Sequence, residues 1–336
     1  MISIRRVHTD DAVAVGLWTQ QQAELRALYI DEELEPDEED SFARKIDATT
    51  VFGSFVGSAE DGEGVASSVL QWPDDELPLG SIEAKRLFVR PEYRRRGYSR
   101  VMMGAVESEA RRSGATSVVL GTGTEQVAAM ALYGAIGYHQ IEPYGEYAEY
   151  ETTVCFAKDL PTRVLVVNGT IGAGKTTTAA AVFDALMARG SRAAFIDGDY
   201  LCQAEPSHAE DPFNQALLFD NLAAMAPNYR ARGYGLMVIA RVVEDPEDRA
   251  RYATAFASAA GPADVSIIRV DASQEVREAR VSVREPEGKW RDWALARTVE
   301  LSDSLDELDL DDAVISTEER TSAEAAGDVL DAAGWA

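Results

Sequence analysis

The apolar positions change their rhythm near residue 164. In the first half, a short strand is predicted at 2–6, followed by a stretch over 10–29 whose apolar positions recur at helical spacing. Strand-like runs follow at 50–56, 64–71 and 82–89. A helix is predicted over 99–113 and stops at Gly114; a strand at 117–120 comes next. A short helix over 128–136 ends at Gly137, and a strand at 152–156 closes this half. From residue 164 the text becomes apolar runs of strand length alternating with helices: 164–168, 176–189, 192–196, 215–232 and 235–240. That alternation predicts a parallel sheet covered on both faces.

The change of pattern divides the chain into residues 1–160 and 161–336, with a short polar segment, 158–163, at the join. A length of 336 residues suits two domains better than one core. At 46% hydrophobic and 27% charged, the composition is that of a soluble globular protein. The opening residues carry no secretory pattern and no apolar run has membrane-spanning length, which places the chain in the cytoplasm, with no membrane partner expected. Cys155 and Cys202 lack any paired spacing, so neither a disulfide framework nor a zinc site is expected. A net charge of −26, shared by both halves, would repel nucleic acid. It serves solubility or attracts cationic substrates; residues 31–40, mostly carboxylates, are where such attraction would concentrate.

Gly169-Thr170-Ile171-Gly172-Ala173-Gly174-Lys175-Thr176 fits the phosphate-binding loop G-x-x-x-x-G-K-[ST] at every fixed position, between a predicted strand and a predicted helix. Glycines let backbone amides close on phosphate oxygens, and the helix start, including Thr177, adds its positive end. Lys175 is placed to neutralise the β- and γ-phosphates, and the Thr176 hydroxyl to ligate Mg²⁺. The next strand ends in Asp197-Gly198-Asp199, at the sheet edge that faces the ligand crevice.

A phosphate-binding loop followed by Asp-Gly-Asp resembles the P-loop small-molecule kinases, such as adenylyl-sulfate, gluconate and shikimate kinases. The resemblance implies ATP as donor, Asp199 as base and Asp197 as the metal-side acid. It also implies a lid bearing Arg277, Arg280 and Arg284, of which Arg280 is the candidate for stabilising the moving phosphoryl group. The i, i+3, i+7 spacing places the three on one helix face. The chain departs from that group in two places. Tyr200-Leu201-Cys202 stands where an arginine is frequent, and the strand at 236–240 runs into Arg241 instead of ending in an aspartate.

In the first half, Lys85-Arg86-Leu87-Phe88-Val89-Arg90-Pro91-Glu92-Tyr93-Arg94-Arg95-Arg96-Gly97-Tyr98-Ser99 resembles the acetyl-CoA-binding motif of the GNAT-superfamily acetyltransferases. Residues 131–138 and 143–147 resemble that family's later segments. The resemblance implies that Val89, Arg94, Arg95, Arg96, Gly97 and Ser99 bind the donor. It further implies that Tyr133 protonates the departing CoA thiolate. Gly121, Val127 and Ala128 depart from the family's usual Glu, Pro and Glu.

The combined expectation is an α/β chain with a GNAT-like α+β domain followed by a P-loop NTPase domain. It would acetylate an amine, with a cationic amine as the candidate acceptor, and phosphorylate a metabolite hydroxyl, using acetyl-CoA, ATP and Mg²⁺. Two alternatives stand: a kinase whose first domain only binds, and a nucleotide-gated regulatory ATPase.

Overall fold

The structure, a computed structural model, describes residues 2–29, 51–72, 77 and 79–336. The acidic stretch 31–40 lies outside the described residues. The chain forms two compact units, Met1–Leu160 and Pro161–Ala336. Among the described residues, no helix is long and apolar enough to cross a membrane.

The first unit is a seven-stranded sheet: β1 (Ser3–Val7), β2 (Val51–Ser58), β3 (Gly64–Gln71), β4 (Ser81–Val89), β5 (Ser117–Gly123), β7 (Thr153–Asp159) and β6 (His139–Ile141), in that spatial order. All neighbours are antiparallel except β4 and β5. Strand alternation divides the side chains between two helical layers. On β2, Val56 packs with Ala14 and Leu17 of α1 (Ala12–Leu28), whereas neighbouring Phe55 joins Met102, Val106 and Ala110 of α2 (Tyr98–Ser113) on the other face. Asp11 caps α1 by accepting from the amides of Val13 and Ala14.

β5 runs three residues beyond its predicted end. Glycines weaken strands in general, but Gly121 and Gly123 keep the ladder to β7 because aromatic rings cover them. An added Cβ at Gly121 would stand 2.8 Å from the ring of Tyr147.

The second unit holds five parallel strands in the order β12 (Ala313–Ser316), β11 (Asp264–Asp271), β8 (Arg163–Asn168), β10 (Leu236–Ala240), β9 (Ala193–Asp197). β8 is central and buried from Val164 to Asn168. Its Leu165 and Val167 face α4 (Lys175–Ala188) and α9 (Ser322–Ala332), while Val164 and Val166 face α5 (Gln215–Ala231) and α6 (Asp248–Ala255). This is the two-faced parallel sheet that the sequence pattern predicts. Helices α7 (Gln274–Arg284) and α8 (Lys289–Leu308) follow β11.

Candidate functional site

In the second unit, the chain leaves the central strand through Asn168, whose fully buried amide fixes the root of the loop. Its Oδ1 accepts from the amides of Gly169 (2.7 Å) and Val243 (2.9 Å), and its Nδ2 donates to Asp311 (2.8 Å). At Gly169 (φ 142°) any Cβ would stand 2.3 Å from the Val270 carbonyl oxygen, so this position requires glycine. The loop through Thr170, Gly172 and Ala173 is braced from outside: Thr298 donates to the Ile171 carbonyl (2.7 Å) and Thr317 to that of Ala173 (2.8 Å). Gly174, in the left-handed region, begins α4, so the amides of Lys175, Thr176 and Thr177 belong to the helix's unpaired first turn.

Lys175 Nζ donates to the Thr170 carbonyl at 3.0 Å. Burial pulls its pKa down to about 8, against the charge of Asp199; Arg284 and Arg241 add to the depression. Thr176 donates to Asp197 at 3.3 Å, and Asp197 caps the short turn Gly198–Leu201 by accepting from the amide of Asp199 (3.1 Å). Hydroxyl and carboxylate therefore meet as two hard oxygen donors beside the loop, a set that fits Mg²⁺, which keeps most of its waters. Among the described residues, no group of three or more His, Cys, Asp or Glu side chains could hold a metal by itself.

The three arginines of α7 have different fates. Arg280 reaches the loop, donating to the carbonyls of Gly172 (3.3 Å) and Ala173 (3.4 Å) and to Thr317. Arg277 is buried and turned to Asp271 (2.8 Å) and Ser302 (3.0 Å), so it holds the fold together. Arg284 pairs with the adjacent Glu285. Arg241, by contrast, occupies the centre. It donates to Asp199 (2.5 Å), Gln215 (2.9 Å) and the Phe213 carbonyl (3.3 Å) from a 9% exposed position at the end of β10. Its place at a strand's carboxyl end was the only sequence signal for that role.

In the first unit, β4 and β5 pair only from Ser81–Glu83 against Ser117–Val119, then part. Beyond that point β4 bulges, with Arg86 at φ 56°, and β5 continues toward α3 (Val127–Ala135). The gap opens beside the start of α2. There Arg95 (φ 61°) and Gly97 (φ 79°) turn the chain so that the unpaired amides of Tyr98 and Ser99 begin the helix. Arg94 donates to the Val89 carbonyl (2.9 Å) and to Glu24 of α1 (2.6 Å), and Arg96 lies over the ring of Tyr93. Arg94 thus rests on a carboxylate, where the resemblance implies a phosphate.

Tyr133 of α3 is 6% exposed, against the rings of Tyr138 and Phe156. Burial raises its pKa, which keeps the phenol protonated.

Sequence reasoning missed Glu83. It is 3% exposed at the last residue of β4 that pairs with β5, accepting from Tyr147 (2.8 Å), Tyr144 (3.3 Å) and Gln71 (3.3 Å), with Lys85 Nζ 3.2 Å away. Burial, then the Glu83 charge, raises the pKa of both tyrosines. The available signal was a carboxylate inside a predicted strand, set between the apolar Ile82 and Ala84.

Residues 19–138 match the acetyltransferase (GNAT) family, and residues 164–305 match the AAA domain family. The chain is 38% identical over 88 residues to N-acetyltransferase 8 of Homo sapiens, covering 26% of this chain and 39% of that protein. It is 33% identical over 81 residues to an IAA acetyltransferase of Azospirillum brasilense, covering 24% and 53%. The chain therefore spans about half or less of the length of these curated relatives. Among solved structures, a GNAT-family acetyltransferase from Staphylococcus aureus aligns with a TM-score of 0.38 at 12% identity, over 48% of this chain and 99% of that one. The PaiA N-acetyltransferase of Thermoplasma acidophilum, in complex with coenzyme A, aligns with a TM-score of 0.37 at 13% identity, over 48% and 99%.

Proposed function

We propose that this chain, a GNAT acetyltransferase domain and a P-loop domain in series, is a two-headed transferase. One head would use acetyl-CoA to acetylate an amine, and the other Mg·ATP to phosphorylate a hydroxyl on a small metabolite. The observation that carries this reading is one arrangement built twice. In each unit a strand leads into a glycine in the left-handed region and a helix start with unpaired amides, and a carboxylate lies at the end of, or within, a nearby strand.

In the P-loop head, the loop amides and Lys175 bind the phosphates, and Thr176 with Asp197 would hold Mg²⁺. The metal, when bound, supplies charge neutralisation at the phosphoryl group. Asp199 is the group to take the hydroxyl proton, and Arg241 must yield one of its bonds for it to do so. Arg280, already on the loop, covers developing charge.

In the acetyl head, the amides at the start of α2 bind the donor's phosphates, with Arg94 exchanging Glu24 for one of them. Glu83 accepts the proton of the attacking amine, held in place by two phenols, and Tyr133 gives its proton to the departing thiolate. Because burial keeps Tyr133 protonated, it stands in the donating form across physiological pH.

The test is turnover with each donor separately. Asp199→Asn should lower acceptor-dependent ADP release about 10²- to 10⁴-fold, and Glu83→Gln should lower CoA release from amines similarly. Full ADP release by Asp199→Asn, independent of any hydroxyl compound, would replace the kinase reading with that of a regulatory ATPase.

A further inference from the structure

Beyond Glu83 itself, the most unusual feature of the acetyl head is what sits on that carboxylate. Lys85 is two residues along β4 and so on the same face, before the bulge at Arg86 disturbs the alternation. Its ammonium lies 3.2 Å from Glu83, 3.7 Å from Glu146 and 5.7 Å from the centroid of the Tyr147 ring. Two carboxylates and an aromatic face form a receptor for a primary ammonium group. The chain fills it with its own side chain, 26% exposed, at the point where β4 and β5 part.

We propose that Lys85 is itself an acetyl acceptor, modified in cis by the donor that the first unit binds. The inference rests on the acetyl-CoA reading of that unit. Lys85 Nζ passes a proton to Glu83 and attacks the thioester carbonyl. A C–N bond forms, the C–S bond breaks, and CoA leaves as the thiol. The sum is an ammonium and acetyl-CoA going to an acetamide, CoA-SH and one proton, with no further reactant. Modification removes the positive charge from between Glu83 and Glu146, so the receptor becomes free for an amine of another molecule.

The chain's five lysines, Lys45, Lys85, Lys158, Lys175 and Lys289, make this measurable in one peptide map. Full-length protein is incubated with [¹³C₂]acetyl-CoA while calorimetry monitors binding of the same compound. Exposed Lys289 reports uncatalysed acetylation. The expected result is label on Lys85 at least about tenfold faster than on Lys289, at a rate unchanged by dilution of the protein. Glu83→Gln should bring Lys85 down to the Lys289 rate while acetyl-CoA still binds. Unlabelled acetyl already on Lys85 after expression counts as product if Glu83→Gln lacks it. Binding of acetyl-CoA with Lys85 modified no faster than Lys289 overturns this inference and leaves the acetyl head standing. Absence of acetyl-CoA binding overturns both.

Discussion

Lys175 carries a prediction of sign as well as size. In the nucleotide-free protein, burial holds its pKa at about 8, well below the usual lysine value. Phosphates favour the ammonium, so binding raises that pKa, and linkage then requires proton uptake whenever the pH is near or above 8. Affinity for Mg·ATP should fall as pH rises above about 8, and calorimetry in buffers of different ionisation enthalpy should show protons taken up. Binding that is flat from pH 7 to 9.5 would contradict the assignment. At the same scale, Gly121→Ala should drive the Tyr147 ring off its place, weaken its bond to Glu83 and cost about 1–3 kcal/mol, measured by denaturant unfolding. The glycine thus has a steric reason: it makes room for a phenol that orients a carboxylate. Individual residues were legible in proportion to how local their roles are. The loop 169–176 could be read because backbone geometry alone dictates its glycines. Glu83 and Arg241 could not, because their importance lies in partners 61 and 64 residues (Tyr144 and Tyr147) and 42 residues (Asp199) away in sequence.

Elements were more legible than their ends. Strands buried on both faces, such as β8 and β10, read as plain apolar runs, and α4 follows the loop as helix physics requires. The sequence pattern ends β5 short because glycines obscure a strand whose covering rings come from elsewhere in the chain. Helix α7 shows what periodicity leaves out. Spacing put Arg277, Arg280 and Arg284 on one face, but depth sorts them: buried at Arg277, reaching the phosphate-binding loop at Arg280, exposed at Arg284. Arg280→Ala should therefore slow phosphoryl transfer with little loss of fold. Arg277→Ala should instead lower stability by about 1–3 kcal/mol, because Asp271 and Ser302 lose their buried partner. A thermal melt beside a rate assay separates the two. At the other end of the chain, Asp11→Ala removes two amide bonds capping α1 and should cost about 1 kcal/mol.

On the scale of the whole molecule, each unit has its own core and its own glycine-led helix start with unpaired amides. Trp335 is buried to 1% exposure in the core of the second unit, under the guanidinium of Arg163. Trp335→Ala should cost about 3–5 kcal/mol there, and the unfolding of that unit is where the loss should register. Two separate donor sites on one chain can be counted by calorimetric titration of the protein with acetyl-CoA and then Mg·ATP. The expected result is one site for each, additive in the same sample, with acetyl-CoA binding lost in the Arg94→Ala, Gly97→Val double variant and Mg·ATP binding lost in Lys175→Ala. Heat from Mg·ATP alone, with none from acetyl-CoA, would contradict it.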